Sequence, residues 1–274
     1  MVFDMDVTSK LTELFSLVGK VVLLTGASGG IGEELAVGLA QSGGKMALCD
    51  IQTEKVNTLS QKIVSFGGKS ISYSLDVADL RSIHECVEQV IADYGMIDVL
   101  INCAGINKRE GLLDVEESTY DKIMDINFKG AYFLSQAVAK HMIKARRGNI
   151  INIASHNSVG MLGGCSVYGA SKSAIVAMTR SLAIELAQYG IRANALAPGH
   201  ISTELTIPLW SDPVKTAYLE ERIAMERAGT PEELVGIIVM LASDASSYMS
   251  GATIHVDGGC LAGGKPWPYD TAYS

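Results

Sequence analysis

Along this chain, short runs of β-branched or wholly apolar residues alternate with longer stretches in which apolar positions return every three or four residues. KVVLLTG (20–26), KMALCD (45–50), KSISYSLD (69–76), IDVLINCAG (97–105), GNIINIAS (148–155), IRANALAPG (191–199) and ATIHVDGG (252–259) predict seven strands. Runs that are apolar throughout, rather than alternating, belong to parallel strands covered on both faces. Between them, GGIGEELAVGLAQSGG, TEKVNTLSQKIVSFGG and DLRSIHECVEQVIADYG carry helical spacing, and each stops at glycine, the usual exit from a helix. Sustained strand–helix alternation predicts an α/β fold: a seven-stranded, doubly wound parallel sheet with helices on both faces, in a single domain over 1–274 with its core at 18–260.

Two stretches break this rhythm. Residues 200–230 form a long insertion after the sixth strand, with two prolines and a helical second half. It is expected to be a lid over a substrate, its Leu209, Trp210 and Tyr218 available to exclude water. The last residues, LAGGKPWPYDTAYS (261–274), keep Trp267, Tyr269 and Tyr273, aromatics expected to pack on the body or on a neighbouring subunit.

Composition narrows the function classes. The 274 residues are 48% hydrophobic and 19% charged, enough for one full core. The formal charge of -8 argues against a nucleic-acid or anionic-membrane surface, which needs a basic face. An acidic ligand must therefore meet a local cluster of cations. Cys49, Cys86, Cys103, Cys165 and Cys260 are odd in number and widely spread, which reads as reduced thiols of a cytoplasmic protein rather than a disulfide framework. The five histidines show no HExxH and no close pair, so no metal site is expected. No apolar run approaches the ~18 residues of a membrane span, and residues 1–18 lack the pattern of a signal peptide.

The glycine-rich TGASGGIG (25–32) sits where the first strand turns into the first helix that follows it. There Gly26 allows a tight turn, Gly30 lets the backbone approach a pyrophosphate, and Gly32 permits close helix–strand contact. The helix N-terminus directs its amides at the phosphates. Asp50 ends the second strand, where a carboxylate accepts hydrogen bonds from an adenosine ribose and repels a 2′-phosphate. Ile51, Gln52 and Thr53 bring no cation directly after it, so NAD(H) is expected in preference to NADP(H). Asp76, ending the third strand, is placed to meet the adenine edge. Asn102, Cys103, Ala104 and Gly105 end the fourth with small residues where backbone passes close to the cofactor.

Taken together, TGASGGIG, LDVAD, NCAG, the Asn127 of DINFKG, Ser155, YGASK and APGHIST resemble the short-chain dehydrogenase/reductase family, a Rossmann fold, over roughly residues 18–260. The resemblance implies a catalytic set of Asn127, Ser155, Tyr168 and Lys172. It adds Ser28, Ile31, Val77, Pro198, Gly199, Ile201 and Thr203 to the cofactor contacts, with Thr203 reaching the nicotinamide carboxamide. Tyr168 and Lys172 lie i,i+4 on one helix and share a face. The ammonium is expected to lower the phenol pKa toward neutrality and to hold the nicotinamide ribose. Ser155 would orient the substrate oxygen. Asn127 would complete a proton path through Lys172. The family further implies a homotetramer or dimer built on the helices around 115–145 and 166–188.

For substrate, Lys108 and Arg109 lie just beyond the fourth strand, at the sheet end where ligands bind, as a pair able to hold a carboxylate. His156 and Asn157 add polar groups suited to a hydroxylated molecule, and His200 is a further candidate contact. The surrounding sequence is similar to the sugar-acid and polyol dehydrogenase branch of the family, that of gluconate 5-dehydrogenase. The expected reaction interconverts a secondary alcohol and a ketone on such a small molecule. Two other readings share the scaffold: a 3-oxoacyl thioester reductase, which Asp50 disfavours, and a catalytically silent cofactor-binding relative, against which the retained Ser155, Tyr168, Lys172 and Asn127 stand.

Overall fold

A computed structural model describes residues 4–204 and 206–265. Seven strands occur where the apolar runs predict them: β1 (Val21–Thr25), β2 (Lys45–Asp50), β3 (Lys69–Ser74), β4 (Val99–Asn102), β5 (Gly148–Ile153), β6 (Ile191–Pro198) and β7 (Thr253–Val256). They form one sheet in the order β3-β2-β1-β4-β5-β6-β7, every pair parallel. The order reverses between β1 and β4, so the chain leaves those two strands for opposite faces of the sheet and a crevice opens at the carboxyl ends. The central strands are buried along their whole length, whereas edge strand β3 alternates between exposed and covered positions.

Helices cover both faces. On one side α2 (Gly30–Gln41), α3 (Thr53–Ser65) and α10 (Val235–Ala242) press Leu35, Leu39, Ile63 and Ile238 onto Val22, Leu24, Met46 and Ile101. On the other, α4 (Leu80–Tyr94) and α6 (Ala131–Ala145) bring Ile83, Val90, Leu134 and Met142 against Leu23, Ala47 and Leu100. Adjacent residues of β1 thus serve opposite cores, the period-two geometry of a strand. Local signals set the ends of α4: the Asp79 carboxylate accepts the Arg81 amide at 2.9 Å, and Gly95 leaves with φ 79°. Two further helices are α5 (Glu117–Met124) and α7 (Ser166–Leu186). An N-terminal α1 (Asp4–Phe15) lies in a stretch where the sequence reading placed no element.

The 200–230 insertion is a closed loop rather than a segment with a helical second half. It carries α8 (Ile207–Trp210) and α9 (Pro213–Glu220) and continues as turns. Its base is pinned by the Ile201–Gly229 bridge and by Gly229 N–H donating to the His200 carbonyl at 2.9 Å. Leu209 and Trp210 are half-buried. Tyr218 instead points outward, with the Arg222 guanidinium 4.0 Å above its ring. The aromatic tail with Trp267, Tyr269 and Tyr273 lies outside the described residues.

Candidate active site

A cleft of about 480 Å³ runs across the carboxyl edge of the sheet, from Asp50 and Asp76 at one end to Tyr168, Lys172 and His200 at the other. Its floor is the turn after β1. Gly26 takes φ 65°, and a Cβ there would stand 2.8 Å from the Ala104 backbone, so only glycine lets the loops after β1 and β4 meet. Thr25 secures the same junction, its hydroxyl accepting the Cys103 and Ala104 amides at 3.1 Å each. Gly29 and Gly30 open α2, and no side chain caps its first amides by a hydrogen bond, the Thr203 side chain packing beside Gly30. The amides and positive end of α2 therefore face open cleft, a cradle for the diphosphate of a dinucleotide.

Ser28, Gly30, Ile31, Gly32, Asp50, Asp76, Val77, Ala104, Gly105, Pro198, Gly199, Ile201 and Thr203 all line the cleft. The Asp50 carboxylate, buried, accepts the Ser28 amide and the Gln52 amide at 2.9 Å each. It therefore braces the glycine turn while facing the cavity. Lys55 and Gln52 also line that end, and Lys55, one turn into α3, is a cation that inspection of the residues directly after Asp50 passes over. Asn102 is the exception among the expected cofactor contacts. Its amide donates to Ser135 Oγ at 2.9 Å and Asn152 Oδ1 at 2.8 Å, inside a buried network continued by Asn152 and Thr179. It fastens the strand ends from behind and does not line the cleft.

At the reacting end, Ser155 follows β5 and Tyr168 and Lys172 come from the first two turns of α7. The Ser155 hydroxyl accepts the Asn157 amide at 3.1 Å and lies close enough to Tyr168 to lower the phenol pKa. Lys172 is 4% exposed, and its ammonium donates to the Ile153 carbonyl at 2.7 Å. Burial lowers its pKa to about 8, with Cys103 opposing weakly. The ammonium lies 5.8 Å from the centre of the Tyr168 ring, and here the structure corrects the sequence reading. Burial raises the phenol pKa above its ordinary value, against the lowering expected from the sequence, while Ser155 and Arg109 pull it down. Without nucleotide, burial therefore holds Tyr168 in its neutral, acid form.

Asn127 is buried in a π-helical turn, Asp125–Gly130, between α5 and α6. Such wide turns recur at functional sites because they shift the helical hydrogen-bond register. The Asn127 amide exchanges hydrogen bonds with the Ile106 backbone at 2.8 and 2.9 Å and donates to Ser171 Oγ at 3.1 Å. Asn127 stands behind the cleft wall: a Cβ on Gly105 would lie 3.3 Å from its Oδ1 and 3.4 Å from Lys172 Nζ. It thus sets the loop that separates it from Lys172.

The expected carboxylate pair divides. Arg109 lines the cleft, whereas Lys108 points away into an ion pair with Glu110 at 2.6 Å and a bond to Thr119 at 3.3 Å. His156, Asn157 and His200 line the same end. The two imidazoles meet edge to face with centroids 4.5 Å apart. Burial lowers both pKa values, and His156 and Arg109 help bring His200 to about 4.

Comparison with known proteins adds a second line to this geometry. A family model described as enoyl-(acyl carrier protein) reductase, of the short-chain type, matches residues 26–260. The chain is a short-chain dehydrogenase/reductase. It is 41% identical over 255 residues to 2-dehydro-3-deoxy-D-gluconate 5-dehydrogenase of Escherichia coli strain K12, covering 90% of this chain and 98% of that one. It is 42% identical over 247 residues to 3-oxoacyl-(acyl-carrier-protein) reductase FabG of Thermotoga maritima, covering 89% and 99%. The crystal structure of a gluconate 5-dehydrogenase from Burkholderia cenocepacia J2315 in complex with NADP and tartrate superposes with a TM-score of 0.89 at 36% identity, over 92% of this chain and 99% of that one. Among the described residues, no helix is long and apolar enough to cross a membrane.

Proposed function

We propose that this short-chain dehydrogenase/reductase interconverts a secondary alcohol and a ketone on a sugar acid of the gluconate type, with NAD(H) as preferred cofactor. The observation that carries the reading is the shared cleft: a glycine cradle and Asp50 at one end, and Ser155, Tyr168, Lys172, Arg109 and His200 at the other. The residues fit a dinucleotide, since the glycine-rich turn after β1 lines the cleft with Gly26, Gly29 and Gly30 and brings backbone rather than bulky side chains to where a diphosphate would lie. When bound, a nicotinamide supplies or accepts the hydride.

The chain's own residues hold and move the proton. Ser155 hydrogen-bonds the substrate oxygen and directs it at Tyr168, which lines the same end of the cleft. In reduction the Tyr168 hydroxyl donates its proton to the oxygen that was the carbonyl; in oxidation the phenolate takes the alcohol proton back. Lys172, held at about 8, is near enough to neutrality to return a proton to Tyr168. Arg109, the cation that lines this end, binds the substrate carboxylate in two-pronged fashion.

The NAD(H) preference rests on Asp50, whose buried negative charge opposes a 2′-phosphate. Lys55 on the same wall, and NADP in the Burkholderia relative, favour the other nucleotide. Assay of gluconate-type acids, their keto forms, neutral polyols and a 3-oxoacyl thioester with each cofactor, read by absorbance of the reduced form, tests both points. Turnover of a sugar acid with higher kcat/KM for NAD(H) is expected. Reduction of the thioester with no sugar-acid turnover would overturn the substrate, and a preference for NADP(H) would overturn the cofactor.

A further inference from the structure

Three side chains from the ends of three neighbouring strands converge beside Ser155. His156 follows β5, His200 follows β6 and Cys260 lies just past β7, with one ligand atom from each within 4.8 Å of the others. His156 is 5% exposed, and its Nδ1 has no hydrogen-bond partner among the described residues. A buried ring nitrogen left this way calls for an explanation.

The backbone beneath the cluster is firmly set. A Cβ on Gly199 would lie 2.5 Å from Asp257 Cα, so the turn bearing His200 rests directly on the turn bearing Cys260. The Asp257 carboxylate fixes the latter by accepting the Gly259 and Leu261 amides at 3.0 and 2.9 Å. Trp210 meets the His200 ring edge-on, centroids 6.4 Å apart. The three donors are thus presented by a braced platform.

We propose that His156, His200 and Cys260 bind one borderline transition-metal ion, zinc(II) above all, with a fourth coordination position open toward the cleft. Two imidazole nitrogens and a thiolate suit zinc, whereas magnesium and calcium require oxygen ligands. In a tetrahedral zinc site the nitrogen and sulfur donors stand about 3.3–3.8 Å apart, so side-chain rotation of about 1 Å closes the set. The Cys260 thiol passes its proton to solvent as the metal–sulfur bond forms. This inference does not depend on which alcohol the enzyme oxidises.

The test uses the full chain after treatment with a chelator. Dialysis against zinc followed by metal analysis is expected to give about one ion per chain. Cobalt(II) in its place is expected to show a thiolate-to-metal charge-transfer band in the near ultraviolet and tetrahedral d–d bands. Cys260→Ser removes the charge-transfer band, and Cys260→Ser and His156→Ala each weaken zinc binding by about tenfold or more. His255→Ala, an exposed histidine outside the cluster, binds as the parent does. Substoichiometric zinc, a cobalt spectrum without the thiolate band, or undiminished binding by Cys260→Ser would each overturn the site. The first two are read on the unaltered protein, so a variant that fails to fold leaves the test intact.

Discussion

Replacing Lys172 by methionine stabilises the cofactor-free protein near neutrality while abolishing turnover, and the effect carries a pH signature. The folded ammonium is buried, and its pKa falls from 10.5 to about 8 because burial penalises the charged form. At about 1.4 kcal/mol per pH unit, that displacement corresponds to ~3 kcal/mol of destabilisation at neutral pH. Methionine removes this penalty and fills similar volume. It also strips the Ile153 carbonyl of its donor, which costs about 1–3 kcal/mol. The net gain at about pH 7 is therefore small, on the order of 1 kcal/mol.

The pH dependence escapes that cancellation. Between the folded and unfolded pKa values the unfolded chain binds the proton and the native site does not, so the parent gains stability as pH rises from about 8 toward 10.5. From about pH 7 to about pH 9.5, the parent's stability should rise relative to Lys172→Met by ~2 kcal/mol. For a chain of this size that is a relative shift in Tm of roughly 4–8 °C. Urea unfolding followed by far-ultraviolet circular dichroism, at one protein concentration and without nucleotide, reads the difference directly. A stability difference that is the same at both pH values would refute a depressed Lys172, and with it the proton-returning role built on that depression.

Three further outcomes follow from the cleft. Tyr168→Phe keeps nucleotide affinity, measured by fluorescence titration, and lowers kcat by about 10²–10⁴-fold; a rate near that of the parent would remove Tyr168 from the acid/base position. Asp50→Ser combined with Ile51→Arg moves the ratio of kcat/KM toward NADP(H), and no movement would show that Asp50 serves only to brace the Ser28 and Gln52 amides. Arg109→Ala raises KM for a sugar acid by about tenfold or more and spares a neutral polyol, whereas Lys108→Ala, held by Glu110, changes both by less than about twofold.

Much of this architecture was legible because its causes are local. A parallel strand buried on both faces must be apolar throughout, so β1, β2, β4, β5 and β6 announce themselves. Asp79 and Gly95 bracket α4 by chemistry within a few residues of its ends. Tyr168 and Lys172 share a helix face by spacing alone. What escaped is set by contacts distant in sequence or by competition between neighbours. Lys108 and Arg109 are equivalent in sequence, yet Glu110 captures one and leaves the other to the cleft. Lys172 is expected to lower the phenol pKa, yet burial of Tyr168, set by the whole cleft, raises it. Asn102 has the composition of a cofactor contact, but Ser135 and Asn152 satisfy it from behind.

The meeting of His156, His200 and Cys260 shows what spacing misses and topology contains. No short-range pattern links a residue after β5, one after β6 and one after β7. Yet those strands are consecutive neighbours in the sheet and all run the same way, so the first residues of their outgoing loops must lie side by side at one edge. In such a sheet, metal or catalytic sets are better sought by aligning strand ends in spatial order than by counting residues between ligands. By that criterion, Ser155, His156 and His200 belong to one sheet edge, and the proton-transfer pair on α7 lines the same cleft.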